Sequence, residues 1–415
     1  MNVRRSAAVL AAVAVIGAAT PAAADPSPSP SPALPSALHG DKDPKYDGVW
    51  RQSLALLAQD TVGVEPAAKS VQWLVRQQCA DGAFAAYRAD PAAACDGSTM
   101  VDTNATSAAV QALAALGGHD DVTGKAVRWL KSVQNEDGGW GYAPGGASDT
   151  NSTSVVIGAL AAAGEQPGGV EKGGKSPYDA LLKLALPCGG DDDGAFAFQP
   201  DKKGKLFANA DATAAGVLGA LGKGMVTEAG EKASGTDCAK PGTPGQAAAN
   251  GAGYLTAALA ADGDHLMSAL PGAEPQPDFG NTADAVVALA AHGDTGQAEK
   301  SVRWLEKNAA AWAAQNGPAA YAQLIFAAHA TGTDPRDFGG ADLVKQLNAT
   351  GPAPQAAAAK AGGQDGENAK DAKDAKDAED SDSVFGVWWY VGVCLVAGIG
   401  IGFLFSSGRR KKQQP

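Results

Sequence analysis

The chain has 415 residues, of which 45% are hydrophobic, 19% charged and only 6% aromatic, with 53 glycines and 24 prolines. It is long enough for one large core, and its small side chains point to close helix packing and away from an aromatic-rich sandwich. Setting aside Arg4, Arg5, Arg409, Arg410, Lys411 and Lys412 at the two ends leaves 27 of the 33 Lys and Arg against 45 Asp and Glu, a balance of −18 that argues against a nucleic-acid partner.

In chain order, residues 1–24 predict a secretory signal peptide: Arg4 and Arg5, the apolar run Ala7 to Ala19, and a small-residue stop at Ala22-Ala23-Ala24. A Ser/Pro-rich spacer follows over 25–40, and the folded domain is expected over 41–350. A low-complexity Ala/Lys/Asp linker occupies 351–383. Residues 384–405 carry no charge and are long enough for a transmembrane helix, with Trp388, Trp389 and Tyr390 near one end. The basic tail 406–415 follows, so the expected location is the cell membrane, crossed once, with the folded domain outside and the tail cytoplasmic.

Of five cysteines, Cys394 falls in the apolar segment and the other four in the exported part. Two disulfides are expected there, and proximity in sequence favours Cys79 with Cys95 and Cys188 with Cys238. A zinc site is the weaker alternative, because no pair has Cys-x-x-Cys spacing and no His falls near.

The domain repeats internally. Ser70-Val71-Gln72-Trp73-Leu74, Ala126-Val127-Arg128-Trp129-Leu130 and Ser301-Val302-Arg303-Trp304-Leu305 read alike. Aromatic glycine turns at Asp81 to Phe84, Asp137 to Trp140 and Asp193 to Phe196 stand 56 residues apart. Polar clusters of helix-capping type open apolar segments at Asp102 to Thr106, Asp149 to Thr153, Asn209 to Thr213 and Asp278 to Thr282. Twelve helices follow, near 47–59, 66–79, 104–117, 122–134, 151–164, 177–186, 211–222, 245–261, 280–292, 296–312, 318–331 and 340–349. Those starting at 104, 151, 211 and 280 are apolar nearly all round, whereas those at 66, 122 and 296 have a polar face, so they form inner and outer rings. The fold class expected is all-α, an α6/α6 toroid of six helical hairpins, plus the C-terminal transmembrane helix.

The run Gln134-Asn135-Glu136-Asp137-Gly138-Gly139-Trp140 is similar to the Gln…Gly-x-Trp repeat of squalene-type cyclases. With the Asp-Thr-x-x-Thr helix starts, the chain resembles the α/α toroids that include terpenoid cyclases, protein prenyltransferases and the α-domain of cobalamin carriers (intrinsic factor, transcobalamin), and is closest in character to the carriers. Resemblance to class II cyclases implies a protonated middle Asp in an Asp-x-Asp-Asp-Thr motif. Here Asn104 and Asn151 hold that position in two copies, and Asp211 holds it in a third whose neighbours are Asn209 and Ala212. Resemblance to the prenyltransferases implies zinc held by Asp, Cys and His, and none of the five His stands near an exported Cys. No catalytic residue and no metal ligand is therefore assigned.

Resemblance to the carriers implies a ligand at the mouth of the inner helices. Parallel inner helices gather their amino ends there, each with unpaired N–H groups. Asp102, Thr103, Asn104, Asp149, Thr150, Asn151, Asn209, Asp211, Asp278 and Asn281 would ring that mouth, with Tyr142 beside it. Each has a plainer reading as a helix cap. Phe84, Trp140 and Phe196 either line the mouth or staple neighbouring hairpins, and Asp191, Asp192 and Asp193 read as a solvated turn or a weak calcium loop.

The expected function is capture of a small amide-rich molecule such as cobalamin for uptake, without a resident cofactor. The expected partners are that ligand, the membrane through the chain's own helix, a membrane importer and a separate capping chain. The alternatives are a cyclase- or prenyltransferase-like enzyme acting on an isoprenoid, and a structural surface protein.

Overall fold

A computed structural model describes residues 34–190, 192–231, 238–268 and 274–356. The signal peptide, most of the spacer and linker, the apolar segment 384–405, the basic tail, Cys394 and Asp191 lie outside the described residues. Among the described residues no helix is long and apolar enough to cross a membrane.

Thirteen α-helices are described: α1 Gly48–Thr61, α2 Ala68–Arg76, α3 Thr103–Leu116, α4 Asp120–Ser132, α5 Thr150–Ala162, α6 Pro177–Leu184, α7 Ala210–Ala220, α8 Pro244–Ala261, α9 Phe279–His292, α10 Thr295–Asn308, α11 Ala310–Asn316, α12 Pro318–Thr331 and α13 Leu343–Ala349. A short antiparallel pair, β1 Leu266–Ser268 and β2 Gln276–Asp278, precedes α9. The expected helix 296–312 is two helices, α10 and α11. They part at Asn308-Ala309 with no Gly or Pro; Asn308 Nδ2 instead donates to the Trp304 carbonyl four residues back, competing with the helix's own ladder.

The inner helices α1, α3, α5, α7, α9 and α12 pack each on the next, and α12 returns to α1, closing the ring. Each pairs with the outer helix that follows it: α2, α4, α6, α8, α10 and α13. Burial divides the two sets as the hydrophobic pattern requires. Every residue of α3 from Thr103 to Leu113 is buried, whereas α2 buries only Ser70, Trp73 and Leu74. Small residues allow the inner helices to approach closely: a Cβ on Gly219 of α7 would lie 2.5 Å from Ser154 Oγ of α5.

The repeated polar cluster has a definite structural task. Its first residue caps the helix: Asp102, Asp149, Asn209 and Asp278 accept from the N–H groups of Ala105, Ser152, Ala212 and Asn281. Its last residue clamps the preceding turn, since Thr106, Thr153, Thr213 and Thr282 accept from the N–H groups of Phe84, Trp140, Phe196 and Leu266 at 2.9, 3.1, 2.9 and 2.9 Å. The aromatics of those turns are fully buried, so Phe84, Trp140 and Phe196 are packing staples and do not line the mouth. Gly138 has φ +90°, and a Cβ there would lie 2.2 Å from the Ser176 carbonyl at the start of α6, so the turn admits only glycine.

Packing begins before the expected boundary at 41 and runs past 350. Leu38 and His39 are buried, Gly40 N–H donates to the Thr350 carbonyl at 2.8 Å, and Gln355 donates to the Glu65 and Pro66 carbonyls.

Disulfides join Cys79 to Cys95 and Cys188 to Cys238, the latter across a sequence separation of 50. The second bond closes a long loop, so Cys188→Ser with Cys238→Ser should lower unfolding stability by about 2–4 kcal/mol. Urea unfolding followed by helical circular dichroism reads this, and an unchanged midpoint would show that the loop is held by packing alone.

Candidate functional site

The capped ends of the inner helices lie together. Asn151, second residue of α5, donates from Nδ2 to Asp211 Oδ2, second residue of α7, at 2.8 Å. The bond from Gln323 Nε2 of α12 to Asp284 Oδ2 of α9, at 3.1 Å, joins the sixth residues of two more inner helices. These bonds set the first turns of α5 and α7 side by side, and likewise the second turns of α9 and α12.

Inside the ring is a pocket open on one side, with about 780 Å³ of empty space when the open solvent at its mouth is counted. Its walls are mainly apolar, from Trp50 and Leu54 of α1, Val155 of α5, Leu218 of α7, Val287 of α9 and Phe326 of α12. One end is closed by the segment after α7. There Met225 N–H donates to Gln111 Oε1 at 2.9 Å, and Gly230 N–H reaches the Ala290 carbonyl near the carboxy end of α9. Lys223, Gly224 and Met225 therefore form a floor.

Against these walls stands a polar arc of Asn151, Ser154, Asp211, Asp284 and Gln323. Burial raises the Asp211 carboxyl to about 7; the Asn151 hydrogen bond works against this, and the Asp278 and Asp149 charges add to it. Asp284 is likewise raised to about 7, first by burial and then by the Asp211 charge, with its Gln323 hydrogen bond opposing. Near neutrality each is thus poised between acid and carboxylate.

The other predicted site residues separate by task. Burial raises Asp149 to about 6 despite its bonds from Ser152 N–H and Oγ, and burial raises Asp102 and Asp278 as well. Asn281 Nδ2 donates to Asp278 Oδ2. Thr150 Oγ1 donates to the Ala197 carbonyl, tying α5 to the next turn. Tyr142 is exposed beside Asp102, and burial of its hydroxyl together with the Asp102 charge pushes its ionisation upward.

Thr103 Oγ1, both amide atoms of Asn104, Asn151 Oδ1 and Ser154 Oγ are buried without a hydrogen-bond partner. These five atoms belong to the first two turns of α3 and α5, and His39 Nε2, Arg51 Nε and Gln59 Oε1 are likewise buried without partners elsewhere. Among the described residues no group of three or more His, Cys, Asp or Glu is arranged to hold a metal.

Sequence reasoning missed Asp284, Ser154 and Gln323. The signal was present: Asp284 is the one charge between Phe279 and Ala291, in a helix that is otherwise apolar. A lone carboxylate there must face either a partner or a cavity.

Residues 50–201 match the family model described as the prenyltransferase alpha-alpha toroid domain. Over 80 residues the chain is 39% identical to drimenyl diphosphate synthase of Streptantibioticus cattleyicolor, a stretch that is 19% of this chain and 13% of that protein. The chain thus spans a small part of the curated relative it matches. A crystal structure of a protein from Actinoplanes aligns over 61% of this chain and 80% of that chain, at 16% identity and a TM-score of 0.29. The closed ring of six hairpins and the match over 50–201 agree, and the protein is a helical α/α toroid similar in that region to the prenyltransferase alpha-alpha toroid domain.

Proposed function

We propose that this toroid is a membrane-anchored extracytoplasmic capture protein, which seats a small amide-rich molecule such as cobalamin at the amino ends of its inner helices. A separate capping chain and a membrane importer complete that reading. The observation that carries it is the set of five unpartnered buried polar atoms on Thr103, Asn104, Asn151 and Ser154. Buried polar groups in a native fold are nearly always paired, and an unpaired one costs about 1–3 kcal/mol. A ligand bearing amide donors and acceptors supplies partners of both kinds.

The test is calorimetric titration of the full-length chain, with both disulfides formed, with cobalamin and cobinamide. Saturable heat that weakens roughly tenfold or more in Asn104→Ala supports corrinoid capture, since tenfold is about 1.4 kcal/mol and one lost buried hydrogen bond is worth that much. No heat with protein on the order of tens of micromolar sinks the corrinoid reading.

A second reading, an enzyme acting on an isoprenoid, is favoured by one observation: Asp211, raised to about 7 inside a largely apolar cavity, is a carboxyl able to stay protonated. The similarity of 80 residues to a drimenyl diphosphate synthase supports the same reading. Product formed from farnesyl diphosphate, and lost in Asp211→Asn, would replace the first reading with this one.

A further inference from the structure

The cavity holds more acceptors than donors. Asn151 satisfies one oxygen of Asp211, and among the described residues no protein donor reaches the other. Asp284 receives only the single Gln323 amide, whose nitrogen lies 3.3 and 3.1 Å from its two oxygens. Asn151 and Ser154, only 5% exposed, belong to the lining of the same cavity and leave Oδ1 and Oγ without partners. The charge balance leans the same way. Asp211 and Asp284 repel one another, Asp278 acts on both and Asp149 on Asp211. The one basic residue of the lining, Lys223, is exposed and belongs to the floor.

The geometry points to a cation-receiving subsite formed by Asp211, Asp284, Asn151 Oδ1 and Ser154 Oγ, which takes the ammonium group of a ligand whose apolar part lies against Trp50, Leu54 and Phe326. An ammonium brings three donors and a positive charge to a place that lacks both. In a site with little water that pairing is far stronger than at a surface. A hydroxyl of equal size brings one donor and no charge, so the subsite discriminates by charge. The inference rests on the cavity being a ligand site and not on the identity of the natural ligand.

Hexylammonium chloride and 1-hexanol separate these two layers, because they share an alkyl chain and differ at the head. Both are titrated into the full-length chain at about pH 8, where carboxyls raised to about 7 are mostly ionised. The expected result is that hexylammonium binds roughly tenfold or more tighter than hexanol. Asp284→Asn and Ser154→Ala should each weaken hexylammonium and leave hexanol unchanged, the retained hexanol affinity showing that the variants are folded. Equal affinity for the two probes overturns the cation subsite while leaving the cavity as a ligand site. Binding of neither probe overturns the subsite, and the corrinoid titration then judges the capture reading by itself.

Discussion

Replacing Trp140 by alanine should lower unfolding stability by about 3–5 kcal/mol, the range for an aromatic removed from a closed core. The indole is 1% exposed, its Nε1–H donates to the Leu130 carbonyl at 2.8 Å, and its own N–H is held by Thr153. It thus joins the end of outer helix α4 to the start of inner helix α5, and its loss leaves a void and removes one of the two hydrogen bonds on the Leu130 carbonyl, which keeps the Val133 N–H. Trp140→Phe separates the two contributions. It retains most of the buried area and loses the Leu130 bond, for an expected cost of about 1–2 kcal/mol. Chemical unfolding gives both values. If alanine cost under about 1 kcal/mol and abolished ligand binding instead, Trp140 would be a ligand contact and the staple account would be wrong.

The second large effect is one of pH. A carboxyl whose folded pKa is raised binds its proton more tightly in the folded state than in the unfolded chain. Its contribution is fully favourable below the unfolded value near 4 and is lost as pH rises toward the folded value. For Asp211 and Asp284, both raised to about 7, the window is roughly pH 4 to 7. Asp284→Asn keeps an acceptor for Gln323 and removes a carboxylate that burial and the Asp211 charge both penalise. The variant should therefore be more stable than the natural protein by about 2–4 kcal/mol at pH 8, and closely equal to it at pH 4. Parallel melts at the two pH values decide this. A variant equally stabilised at both would mean that Asp284 is not an ionising group in the folded protein.

The hairpin ring was legible because its signals are periodic and local. Gly-centred turns, capping clusters and alternation of apolar with two-faced helices each recur, and the structure uses them at the same places. The Thr of each cluster was noticed as part of a cap, but its bond to the preceding turn joins residues 13 to 22 apart and needs the folded hairpin to appear. Asn151 and Asp211 stood out in sequence because they sit in the repeated cluster. Asp284 did not, because it lies one turn further along its helix, outside any motif. What it faces depends on Gln323, 39 residues away, and on how the ring closes. The floor was equally hidden, since Gln111 and Met225 are 114 residues apart.

Ring closure also dictates an order of events. Five of the six seams between inner helices join neighbours in the chain, and each can form as soon as its second helix exists. The sixth, between α12 and α1, joins the last hairpin to the first, and beside it Gly40 bonds Thr350. Contacts so distant in sequence carry the largest loop-closure cost and are expected to form late. As the chain emerges from its amino end, α1 must wait with one flank bare until Pro318–Thr331 has arrived. Until then the nascent protein is an open crescent with two sticky edges, the form most exposed to pairing with a second crescent. Helpers that shield α1 during synthesis, or a slower pace of synthesis, would therefore affect yield without touching the stability of the finished ring.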